Sequence, residues 1–114
     1  MVKYLISFPS SAMKHIPPED FPAVFEAAHE VVREAKKAGV WVFGGGINEQ
    51  VPPLMVAGDG STSQDTYPQT KVFDGGFSVL EVPTREEAIE WARKIAVSCR
   101  CKQELRECQF DPES

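Results

Sequence analysis

Residues 77–96 read FSVLEVPTREEAIEWARKIA, and they contain a strand, a turn and a helix in immediate succession. The segment Phe77 to Val82 has the apolar and β-branched composition that is typical of a strand. Thr84 and Glu87 have the spacing of a capping box, in which each side chain bonds the backbone N–H of the other residue, so a helix begins here. Its predicted buried stripe consists of Ala88, Trp91, Ala92, Ile95 and Ala96. A last strand is predicted over residues 103–110.

The same order of elements occurs once before, in the first half of the chain. Val2 to Phe8 predicts a strand, and residues 21–38 predict a helix with Asp20 as its N-cap. Gly39 ends this helix, and the next strand, Val40 to Phe43, is apolar at every position. The buried stripe predicted for the helix consists of Phe21, Val24, Phe25, Ala28, Val31, Val32 and Ala35.

Between the two halves lies an irregular insertion, residues 47–74, preceded by three glycines at 44–46 that permit a bend or a bulge. A hairpin is expected in it, with one strand near 54–57 and a return strand near 70–73. Strand–helix–strand, hairpin and strand–helix–strand together form the split β–α–β pattern. The sequence therefore predicts an α+β, ferredoxin-like fold in which two helices cover one face of an antiparallel sheet.

The other face of that sheet needs cover as well, because the strand at 40–43 is apolar on both sides. A second copy of the chain is the economical way to cover it, so a homodimer through the sheet faces is expected.

Length and charge limit the function classes. The 114 residues fit a single domain, residues 1–114. The formal net charge of −5 disfavours nucleic acid and anionic membrane surfaces as partners, since binding to either needs a basic patch. No apolar run approaches a membrane span, and the N-terminus lacks the long apolar core of a signal peptide, so a cytoplasmic location is expected.

Neither a metal nor a cofactor is predicted. The three cysteines, Cys99, Cys101 and Cys108, lack the paired spacing of a zinc site and have no nearby histidine, which favours structural thiols. The glycines at 44–46 are not part of the G-x-G-x-x-G motif that opens a dinucleotide-binding helix.

The order of these motifs resembles the YCII-related family, whose members often carry a DGPF motif. The resemblance extends over nearly the whole chain and rests on KYLI at 3–6, KAGV at 37–40, GGG at 44–46, TK at 70–71, GGF at 75–77, LEV at 80–82 and EAIEWA at 87–92. The chain departs from the family where DGPF would stand, because QDTYP occupies residues 64–68. Asp65 is therefore present and the Gly-Pro-Phe is not.

The resemblance implies a dimeric α+β barrel, in which two ferredoxin-like sheets face each other. Some relatives are enzymes, including dehydrochlorinases that act on chlorinated hydroxyquinols, and a His with an Asp is the catalytic pair suggested for them. Wider relatives with this architecture include small monooxygenases and isomerases of aromatic breakdown. Fold alone does not fix function, so these activities are expectations for the present chain.

His29 is the first candidate for catalysis. It lies about 100° from the centre of the apolar stripe of its helix, on a flank where a side chain can line a cleft. Imidazole titrates near neutral pH and serves as a general acid or base. The helical histidine of the family matches this position, and Asp65 and Asp74 are the predicted partners, with Asp59 also available. His15, in a proline-rich loop, is expected to be exposed and without a role.

Three functions remain open from the sequence. The first is a small cofactor-free enzyme with His29 as acid or base on a small, aromatic or chlorinated organic substrate. The second is a non-catalytic module that binds a small ligand or regulates, which the altered DGPF region favours. The third is a structural dimer within a larger assembly, with which the apolar strands and the acidic charge are compatible.

Overall fold

The computed structural model describes residues 1–114 as a four-stranded antiparallel sheet, two helices and a small separate hairpin. The strands are β1 (Val2–Phe8), β2 (Trp41–Gly46), β3 (Met55–Val56), β4 (Thr62–Ser63), β5 (Gly76–Val82) and β6 (Glu104–Glu107), and the helices are α1 (Phe21–Lys37) and α2 (Arg85–Cys99). The sheet order is β2-β5-β1-β6, and β3 pairs only with β4. This order confirms the predicted α+β fold with ferredoxin-like topology. No helix is both long and apolar enough to cross a membrane.

The core lies between the helices and one face of the sheet. Tyr4 and Ile6 of β1 are buried beside Leu80 and Val82 of β5, since alternate residues of a strand share a face and the two strands pair in register. The helices cover this face with the buried residues Val24, Ala35 and Ala88, and with half-buried residues that include Trp91 and Ile95. The predicted stripes of both helices thus face the core, except that Phe25 of α1 stays largely exposed.

The two helices begin differently. Thr84 has an extended backbone, and its hydroxyl accepts the N–H of Glu87 at 3.2 Å, which confirms this half of the predicted capping box. Asp20 has a helical backbone because a 3-10 turn over Pro18–Asp20 continues directly into α1. An N-cap side chain bonds the helix only from an extended backbone, so the prediction of an Asp20 cap is wrong. The Asp20 carboxylate instead accepts from the Arg100 guanidinium at 2.9 Å.

The hairpin of the insertion is shorter than predicted. Asp59 accepts the N–H and hydroxyl of Ser61, and Gly60 has a φ of +88°, so the chain turns back at once. The return strand is therefore Thr62–Ser63, and the expected strand at 70–73 is wrong. A 3-10 turn over Pro68–Thr70 begins that segment instead.

The glycines at 44–46 belong to β2, which pairs with β5 along its length. The irregularity in this pairing lies earlier, between Trp41 and Phe43. A side chain is excluded at Gly44, because its Cβ would lie 2.6 Å from the Trp41 ring. The last strand, β6, covers Glu104–Glu107, which is four of the eight residues predicted for it.

Candidate functional site

A cleft of about 900 Å³ lies on the helix side of the sheet, beside α1, and we call it the α1 cleft. Most of its wall is apolar, and one side is formed by residues of α1. The aromatic side chains that line it from the helix side are Phe8, Phe21, Phe25 and Trp41. Phe43 and Phe77 border the cleft from strand positions whose side chains lie on the opposite face of the sheet. Clefts of this size with apolar walls and few polar groups are typical of small-molecule sites.

Residues without side chains form part of the α1 cleft. Gly44 and Gly46 of β2 and Gly76 of β5 line it, next to the end of β1. At Gly76 an added Cβ would lie 2.9 Å from the Phe8 ring, so the aromatic ring occupies the space that a side chain would need. The cleft is therefore bounded in part by backbone and in part by aromatic side chains, which favours an apolar organic ligand.

His29 lines the α1 cleft from the middle of α1, on the flank predicted for it. Its side chain is exposed, and it makes no hydrogen bond or ion pair within the chain. Both ring nitrogens are therefore free for a ligand. No carboxylate fixes the ring orientation, which the predicted His–Asp pair would require.

A second cleft of about 680 Å³ adjoins the first, and we call it the insertion cleft. Asp65, Asp74 and Lys71 line it together with apolar residues of the insertion such as Leu54. Ser10, Ile47 and Glu49 line both clefts. The structure thus places the two predicted aspartates in one cleft and His29 in its neighbour.

Asp74 is bound to the loop that follows β1. Its two carboxylate oxygens accept the Ser10 N–H at 2.9 Å and the Ser10 hydroxyl at 2.8 Å. These bonds, the backbone one first, hold the pKa of Asp74 below its ordinary value, because they favour the ionised form. The following residue, Gly75, has a φ of +87°, and a Cβ there would lie 2.0 Å from the Phe8 carbonyl oxygen. Asp74 therefore closes a tight junction between two loops.

The other two aspartates bond their own loops. Asp65 accepts the N–H of Thr66 at 2.8 Å, and the bonds from Ser61 to Asp59 lower the Asp59 pKa. Neither aspartate has a contact with His29 among these bonds, so the pairing of His29 with an aspartate stays a prediction.

His15 and the cysteines are the remaining candidates, and none of them bonds His29 or a candidate aspartate. A ring nitrogen of the exposed His15 lies 2.6 Å from the Arg100 carbonyl oxygen, beyond the C-terminus of α2. Burial raises the pKa of the Cys99 and Cys101 thiols, which keeps them protonated at neutral pH and fits the structural role predicted for them. No group of three or more His, Cys, Asp or Glu side chains is placed to hold a metal ion.

Sequence reasoning missed Ser10, one of the three residues that line both clefts. It is 64 positions away from Asp74 and has no motif around it. The available signal was the antiparallel pairing of the strands at 2–8 and 76–82. Because Phe8 pairs with Gly76, the residues after the first strand must lie beside those before the second.

Comparison with known proteins identifies the family. The sequence model of the YCII-related domain matches residues 9–98, which is most of the chain and includes α1, the insertion and all but the last residue of α2. The chain therefore belongs to the YCII-related family. A search of the curated proteins finds no match.

Proposed function

We propose that this YCII-related protein is a small cofactor-free enzyme that uses His29 as a general acid or base on a small organic substrate. The substrate is aromatic or chlorinated and binds in the α1 cleft. The observation that supports this proposal best is an imidazole with no partner in the chain, in the wall of a cleft of about 900 Å³ bounded by aromatic rings. A free imidazole can exchange a proton with a bound substrate near neutral pH.

The aromatic wall supports the substrate class. Phe21 and Phe25 stack in α1 with their ring centroids 5.8 Å apart, and both lie in the same cleft as His29. A flat substrate that packs against such rings is held while its polar group faces the imidazole, and orientation of this kind is a large part of catalysis.

The test is to titrate the protein with a set of small aromatic and quinol-like compounds and to follow the His29 ring protons by NMR. A compound that shifts them is then assayed for turnover. We expect His29→Gln to lower turnover by about 10²–10⁴-fold, the usual contribution of a general acid or base. The control is His15→Gln, because His15 lies outside both clefts. Full activity of His29→Gln would sink the proposal.

The second candidate is a non-catalytic module that binds the same kind of ligand. It is favoured by Asp74, whose carboxylate oxygens are both bound to Ser10, and by the absence of a carboxylate bonded to His29. Saturable binding of a compound that is never converted, with His29→Gln weakening only its affinity, would support this candidate over the enzyme.

We also propose a homodimer through the open face of the sheet, the arrangement of a dimeric α+β barrel. Leu5, Phe77 and Val79 lie on the face opposite the helices, and Phe43 beside them is 61% exposed. The Phe43 and Phe77 rings are 5.7 Å apart, so the apolar surface is continuous.

Sedimentation tests the dimer. We expect a species of twice the 12.6 kDa chain mass, and we expect Phe43→Lys to dissociate it, because the charge would be buried without a partner. A monomeric wild type at all concentrations would contradict the proposal.

A further inference from the structure

Ser10 occupies the junction of the two clefts. It is half-buried and lines both of them, as do Ile47 and Glu49. Its hydroxyl donates to one oxygen of Asp74 at 2.8 Å, and its backbone N–H donates to the other at 2.9 Å. Of the side chains shared by the clefts, it is the only hydroxyl, and Glu49 is the other polar one. The Ser10 hydroxyl can therefore contribute to the choice of the ligand group that binds there.

The Asp74 carboxylate fixes the polarity of this hydroxyl. An ionised carboxylate only accepts hydrogen bonds, and the two bonds from Ser10 keep Asp74 ionised by lowering its pKa. The single hydrogen of the Ser10 hydroxyl is therefore committed to Asp74. The Ser10 oxygen still has free lone pairs, so toward any other group it can act only as a hydrogen-bond acceptor.

We propose that the Ser10 oxygen, held by Asp74, accepts a hydrogen bond from the ligand and selects molecules that bring a hydroxyl or N–H group to the cleft junction. This proposal rests on the proposed function, since it concerns the same ligand. It narrows the substrate class to organic molecules with a hydrogen-bond donor. A ligand with only an ether or carbonyl oxygen at that point would place two acceptors against each other.

The probes are phenol and anisole, which differ by a methyl group on the one oxygen. Binding of each is measured by NMR from the His29 ring protons and the backbone amides of the cleft. We expect the preference of the wild type for phenol over anisole to fall about fivefold in Ser10→Ala, the effect of one lost neutral hydrogen bond. The Ser10→Ala chain keeps the backbone N–H that binds Asp74, so the junction stays closed.

Asp74→Asn tests the polarity itself. The asparagine oxygen can still accept the Ser10 N–H, while its NH₂ group donates to the Ser10 oxygen and frees the hydroxyl hydrogen. Ser10 then donates to the ligand, and we expect the preference to move toward anisole at least as far as in Ser10→Ala. The matched control is Ser11→Ala, because Ser11 is exposed, lines neither cleft and should keep the wild-type preference.

The outcomes separate this proposal from the one on which it rests. If both probes shift His29 while the preference is the same in the wild type, Ser10→Ala and Asp74→Asn, the role of Ser10 is overturned and the α1 cleft remains a binding site. If neither probe shifts any cleft resonance, both proposals are overturned for aromatic ligands. A preference that falls in Ser10→Ala and moves toward anisole in Asp74→Asn supports the acceptor role.

Discussion

The sheet with its two helices and the insertion at 47–74 both contain large apolar residues but use them differently. In the sheet and helices, residues such as Leu80 and Val82 are fully buried against the opposite layer. In the insertion no residue is buried. Its large apolar side chains are exposed, namely Ile47, Val51, Leu54, Val56, Tyr67, Val72 and Phe73.

Different interactions hold the two regions together. The sheet and helices are stabilised by burial, which adds over many contacts and resists local change. The insertion is held by turns that bond within a few residues, such as Asp59 with Ser61, and at its end by Asp74 with Ser10. We therefore expect local opening to be easier in the insertion than in the sheet and helices.

The largest expected difference is in the free energy of unfolding of two variants, each of which truncates an aliphatic side chain to alanine. Leu80→Ala removes a fully buried side chain and should lower the free energy of unfolding by roughly 2–5 kcal/mol, since the neighbours only partly fill the space. Val72→Ala truncates a side chain that is 81% exposed and should change it by less than about 0.5 kcal/mol. Urea unfolding of both variants measures the contrast.

A large loss of unfolding free energy in Val72→Ala would contradict this contrast between the insertion and the core. It would mean that the insertion packs against something beyond its own chain, and repeating the measurement over a range of protein concentrations would show whether a second copy is responsible.

A smaller effect on the free energy of unfolding is expected from Asp74, at the junction between the two regions. This effect depends on pH. The folded-state pKa of Asp74 is depressed, so ionised Asp74 stabilises the fold above the ordinary carboxyl pKa of about 3.9. This stabilisation is lost as the pH falls through the folded-state value. We expect the stability difference between wild type and Asp74→Asn to be largest near neutral pH and to shrink in acid.

Urea midpoints of the two proteins over a pH series check this difference. Asp65→Asn is the control for the loss of one surface carboxylate, because Asp65 bonds only the adjacent N–H of Thr66. A constant gap between wild type and Asp74→Asn at every pH would contradict the assigned role of Asp74.

Prediction from the sequence succeeded where a local pattern is sufficient. Thr84 lies in an extended backbone before a run of helical periodicity, and its cap forms as expected. Asp20 is also a residue type that caps helices, but the turn before it is already helical. Its carboxylate instead accepts a hydrogen bond from Arg100, 80 residues away. In the insertion, the bonds from Ser61 to Asp59 close the hairpin early. The apolar residues at 70–73 had instead suggested a return strand further along the chain.

By itself, the sequence determined the two β–α–β halves, their order, the faces of the helices and the position of His29 on the flank of α1. These features follow from periodicity and from turn and cap chemistry, which act within a few residues. Only the tertiary structure decided that Asp74 bonds Ser10 and lines a different cleft from His29. The pairing of β1 with β5 brings those distant residues together, and an interaction between distant residues leaves no periodic mark in the sequence.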